Sequence, residues 1–147
     1  MHPFDLRTIL LARHAQHVVL VHFPIALFIA GVLFDVVGEI VARPRLAAAA
    51  YCNLGAAAIT SLPVLVSGIA AWQWALGGRQ LKGILRMHLV LGVLSSILMW
   101  VVWLVRRRSL HGKPQPRHLW IALELTTAFL VALAAHLGGF LSGVNGP

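Results

Sequence analysis

Residues 84–105 read ILRMHLVLGVLSSILMWVVWLV, and beyond Arg86 and His88 nothing charged interrupts them until Arg106. At 1.5 Å of rise per residue, about 20 apolar residues cross a hydrocarbon core of roughly 30 Å. This stretch therefore predicts a transmembrane helix. Working outward, residues 18–42, 46–76 and 119–141 are equally apolar and equally long. The breaks between them combine charge with helix stoppers: Arg43-Pro44-Arg45, Gly77-Gly78-Arg79, and Arg106 to Arg108 followed by Lys113-Pro114-Gln115-Pro116-Arg117. Short connections favour antiparallel neighbours, so the expected fold is all-α, an up-down bundle of four transmembrane helices. A barrel is excluded because the runs lack the alternation of its strands.

Composition agrees. Of 147 residues, 59% are hydrophobic and 11% charged, with a mean hydropathy of +0.85, whereas a soluble domain carries about 25% charged residues. The net charge of +8 lies in short runs between apolar segments. Its natural counterpart is the anionic headgroup layer of a bilayer, not nucleic acid. Cys52 is the single cysteine, which excludes an intramolecular disulfide, a thiolate metal cage and a covalently attached c-type haem.

Residues 1–16 form an N-terminal segment with two open readings, an amphipathic interfacial helix or a flexible tail; residues 17–147 form the transmembrane domain. No small-residue cleavage site precedes a polar chain, so the first apolar run is expected to stay as a helix. Pro24 either starts that helix near His22 or kinks it by freeing the Leu20 carbonyl, and Pro63 bends or interrupts the second. Gly92 with Ser96, Gly138 with Ser142 and Gly139 with Gly143 are candidate close-packing faces.

Basic residues orient the bundle. Arg43, Arg45, Arg106, Arg107, Arg108, Lys113 and Arg117 share one end, and Arg7, Arg13, Arg79, Lys82 and Arg86 the other. The denser set goes to the cytoplasm by the positive-inside rule, leaving both termini outside.

The histidines are the candidate chemistry. His2, His111 and His118 fall in a terminus or loop. His22 enters the first helix and His88 the third, which places both on one side of an up-down bundle. His136 lies about 27 Å of helix beyond His118 and returns to that side, where His17 also stands, with His14 near it. Ionisable groups in apolar surroundings turn inward toward a partner, a cofactor or water. Three arrangements answer that need: plain inter-helix hydrogen bonds, a b-type haem held axially by two imidazoles, or three to four imidazoles around one copper or zinc ion at about 2.0 Å. In the haem case Gly92 makes room for the porphyrin and Trp72, Trp74, Trp100 or Trp103 packs on it; Trp72, Trp74 and Trp120 otherwise read as interfacial anchors. At the opposite end Asp35, Glu39 and Glu124 are expected to pair with Arg43, Arg45 or Arg106, with a proton path or a quinone-binding role as the other reading. No phosphate loop, nucleophile with base or metalloprotease signature is present.

The stretch from His17 through Val-Val-Leu-Val to His22-Phe23-Pro24-Ile25-Ala26-Leu27, followed by Phe34-Asp35, resembles the opening of the bacterial membrane proteins grouped as domain of unknown function 2231. Ser67-Gly68 before Trp72, His88 entering the third helix and Leu137-Gly138-Gly139 closing the fourth also fit, so the resemblance covers nearly all of the chain from His17 onward. Relatives fused to Rieske-type or c-type cytochrome modules imply traffic in electrons. This chain departs from those by having no appended redox domain and by its longer histidine-bearing N-terminal segment.

The expected function is then a membrane electron-transfer subunit, not an enzyme by itself, binding haem b through two of His22, His88 and His136, with His17 as a nearby alternative. A bare transition metal on the same residues is the other cofactor. Its partners are the lipid bilayer and other membrane redox subunits, such as a Rieske-type or c-type cytochrome protein, in a bacterial inner membrane with both termini periplasmic. The competing reading is a cofactor-free accessory subunit whose histidines only tie helices together. A transporter is disfavoured, since four short helices leave little room for inverted repeats.

Overall fold

The computed structural model describes residues 13–78, 80–112 and 116–143. Most of the expected interfacial segment, residues 1–12, lies outside them. The described chain is helical: α1 (Arg13–Leu20), α2 (His22–Ile40), α3 (Pro44–Ala70), a π-helical turn (Ala71–Ala75), α4 (Gly83–His111) and α5 (Arg117–Leu141). Among the described residues four helices are long and apolar enough to cross a membrane, at Gln16–Ile40, Pro44–Trp74, Gly83–Ser109 and Arg117–Leu141.

The first span joins α1 to α2. Pro24 has no N–H for the Leu20 carbonyl, and the helix slips at Val21, where Val21 N still donates to His17 O at 3.0 Å. Both sequence alternatives hold in part: α2 starts at His22, and α1 leads into it from Arg13. Pro63 is carried inside α3. The second span ends in the π turn, where Leu76 N reaches back five residues to Ala71 O at 3.2 Å. Gly77 and Gly78 then reverse the chain at φ of 61° and 63°, a backbone conformation that glycine adopts without steric penalty. Pro44 and Pro116 stand at the starts of α3 and α5, where a missing N–H leaves no gap in the helical ladder.

The helices pack in a closed ring, α2 on α3, α3 on α4, α4 on α5 and α5 on α2, with α1 resting on α3 and the π turn. The first and third spans therefore face each other across the diagonal. Lipid tails are as apolar as leucine, so burial of hydrophobic surface does not drive these helices together; close contact of small residues does. The tightest approaches are at Gly31 and Gly38 of α2, where an added Cβ would lie 2.9 Å from Leu54 and Leu46 of α3, and on α3 at Gly55, where it would lie 2.7 Å from Trp103 Nε1 of α4, and at Gly68, 2.9 Å from His17 Cε1 of α1. Of the faces expected from sequence, Gly138 packs closely, with an added Cβ 3.1 Å from His88, whereas at Gly92 it would meet nothing within 4 Å. Around them Phe28, Val32, Leu54, Ala57, Ala58, Met99, Val102 and Val131 form the core, while Phe23, Val66 and Phe129 point outward at more than half exposure. An apolar exterior of that kind matches a lipid-facing surface.

Candidate functional site

The two ends of the bundle differ. At the end that holds the start of α1 and α4, the helices splay around a cavity of about 410 Å³. His17 and His88 stand on diagonally opposite spans at this end, with ring centres 6.4 Å apart and planes at 83°.

Each ring is held from a neighbouring helix by two devices. His88 Nδ1 lies 2.9 Å from Ala134 O of α5. A carbonyl only accepts, so Nδ1 carries the proton and a neutral ring has its lone pair at Nε2. The Cε1 edge of His88 lies against Gly138, where an added Cβ would come within 3.1 Å. His17 repeats the pattern on α3. Its Nδ1 is 2.9 Å from Ser67 Oγ, Ser67 Oγ in turn donates to Val64 O at 2.9 Å, and the ring edge lies 2.9 Å from where a Cβ on Gly68 would sit. A glycine and a hydrogen-bond acceptor thus fix both imidazoles.

The cavity beyond them is walled by leucines such as Leu65, Leu85 and Leu89, and it reaches inward to Ser61, Ser95 and Met99. Gly92 lines it, and a Cβ there would meet nothing within 4 Å. Trp72, placed by the π turn, closes part of the rim. Π-helical turns of this type recur at functional sites.

The other expected site residues stand farther out. His22 stands at the rim, exposed, with Nδ1 donating to Val18 O of its own helix at 2.7 Å. His136 is exposed, and its ring meets Phe140 at 5.0 Å. The residue named as the alternative, His17, thus faces His88, whereas His136 is not among the cavity-lining residues. Among the described residues no group of three or more His, Cys, Asp or Glu side chains stands close enough to hold a metal ion. Sequence reasoning noted Ser67-Gly68 and Gly138-Gly139 only as marks of the family resemblance and, for the second pair, as packing residues. Their spacing carried no sign that they seat the imidazoles.

At the opposite end the polar groups are packed against one another. Arg106 of α4 bonds the Asp35 carboxyl of α2 and lies 4.3 Å over the Trp120 ring of α5. Glu39 pairs with Arg117 at 2.9 Å nearer the surface. The expected pairing with Arg106 therefore forms at Asp35, while Glu39 takes Arg117, a partner the sequence did not suggest.

A family model described as DUF2231, predicted membrane protein, matches residues 13–146. No curated protein and no solved structure matches the chain.

Proposed function

The chain belongs to the DUF2231 family of predicted membrane proteins, and on that premise we propose that it is a membrane electron-transfer subunit holding a non-covalent, b-type haem between His17 and His88. The supporting observation is the separation of the two rings. Imidazoles that share one metal ion bond it at about 2.0–2.1 Å each, so two such rings would have to stand close together on facing helices. His17 and His88, with ring centres 6.4 Å apart, would be the residues that hold the haem. His22 and His136 are then not ligands, and a bare three-histidine metal site is disfavoured.

The residues present fit the group. Nδ1 of each ring is tied to Ala134 O or Ser67 Oγ, the outer-shell arrangement that fixes tautomer and ring direction for ligation through Nε2. The apolar walls and the open space over Gly92 accept a flat macrocycle. Bound there, a haem supplies reversible one-electron transfer inside the bilayer. The protein's part is to orient the two imidazoles and to keep water out with Leu65, Leu85 and Leu89.

The electron donor and acceptor are other membrane redox subunits, a Rieske-type or c-type cytochrome protein among them, reaching the cavity from the histidine face. We place that face in the periplasm and the arginine-rich face in the cytoplasm of a bacterial inner membrane. The cofactor-free accessory reading draws on the same two hydrogen bonds, which join helices without any ligand.

Absorption spectroscopy of the purified protein separates the two. Reduced-minus-oxidised haem bands are expected in the native chain and absent in His88→Leu and His17→Leu, with the His22→Leu and His136→Leu spectra unchanged. A folded, colourless native protein that takes up no added haem would leave only the accessory role.

A further inference from the structure

The buried charges at the arginine end do not balance. Asp35 is 1% exposed and Glu124 0%, and the two carboxyls adjoin each other. One guanidinium, Arg106, serves both, and it bonds Asp35. Asp35 Oδ2 and both Glu124 oxygens are buried with no well-formed hydrogen bond among the described residues. Glu124 is thus a second observation beside the Asp35–Arg106 pair: a fully buried acid from another helix, aimed at the pair and unsatisfied by it.

The surrounding charges do not supply the missing partner. Glu39 and Arg117 neutralise each other nearer the surface. From α3 the nearest basic residue by position is Arg45, in its first turn and exposed, and Arg107 and Arg108 of α4 are also exposed. An uncompensated charge in a low-dielectric interior costs several kcal/mol even after relaxation, and such groups inside a membrane bundle mark ion or proton sites.

We propose that the Asp35–Glu124 carboxyl pair is a binding site for one monovalent cation, a proton or a sodium ion. The stoichiometry follows from charge: two carboxylates and one guanidinium leave a single negative charge, which one monovalent cation cancels and a divalent ion would overshoot. The ligand atoms are hard oxygens, as either cation requires. This site is independent of the haem reading, and it gives the chain a cation-binding function at the end remote from the histidines.

Infrared difference spectroscopy on the purified full chain, in sodium chloride and in choline chloride, tests it. If the cation is a proton, a carboxylic acid C=O band is present in both salts and shifts in D₂O. If it is sodium, the band is missing in sodium chloride and titration calorimetry with sodium chloride gives one site per chain. Glu124→Gln and Asp35→Asn each remove the surplus charge, so either variant loses the band or the sodium site, and a fold lost in one leaves the other to report. Glu39→Gln retains it. The proposal is overturned if the native chain shows neither an acid band nor sodium uptake, or if the signal survives both Glu124→Gln and Asp35→Asn.

Discussion

The histidine end and the arginine end of this bundle are built from the same four apolar helices, yet they handle buried polarity in opposite ways. At the histidine end each imidazole is seated separately, on a glycine and an acceptor of the adjacent helix, and an open cavity remains between the seats. At the arginine end the side chains bond one another, Arg106 lies on Asp35 and Trp120, and Glu124 is pressed into the same cluster. The contrast teaches that polar groups seated one by one on a neighbouring helix leave room for a guest. Polar groups tied to each other close the bundle and fix its helices relative to one another.

The sharpest way to break the comparison is Arg106→Met. It leaves two carboxyls buried without their guanidinium, and removal of one partner from a buried pair costs about 3–5 kcal/mol. A large drop in thermal stability in detergent is expected, read from helical circular dichroism on heating; a wild-type melting curve would show that the arginine end does not hold the bundle together. Ser67→Ala comes next, acting at the histidine end. It removes the acceptor of His17, and loss of an outer-shell partner lowers metal affinity about 10–100-fold. Haem titration is expected to show that weakening with little change in stability.

Gly92→Leu fills the space that a Cβ finds empty. It is expected to block haem uptake while the melting temperature stays close to wild type. Equal uptake would mean that the cavity is not where a ligand sits. The smallest effect belongs to Glu39→Gln. Its ion pair with Arg117 is partly exposed, at 34% and 53%, and exposed pairs contribute roughly 0–1 kcal/mol. A shift as large as that of Arg106→Met would erase the distinction between buried and rim charges.

Much of the candidate site was legible, though unevenly. The depth of each histidine follows from counting residues along a helix, which is why the expectation of one histidine-bearing end holds. Depth does not give rotation. His136 sits at the right end of α5 and yet faces outward, while His17, just before the apolar run, turns in because α1, ahead of the slip at Val21, lies against α3. Asp35 with Arg106 was foreseeable from opposite charges at one level. The proximity of Glu124 to Asp35 was not, since it pairs like with like.

By itself the sequence determined how many times the chain crosses the bilayer, where it turns and which end carries which chemistry, because the length and hydropathy of each run answer directly to the thickness of the hydrocarbon core. Only the tertiary structure decided which face of each helix points inward. In water the buried stripe of a helix betrays itself by its contrast with a polar face. In lipid both faces are apolar, so rotation is set instead by where Gly31, Gly38 and Gly55 let neighbouring helices touch, and that contact exists only once the helices have met.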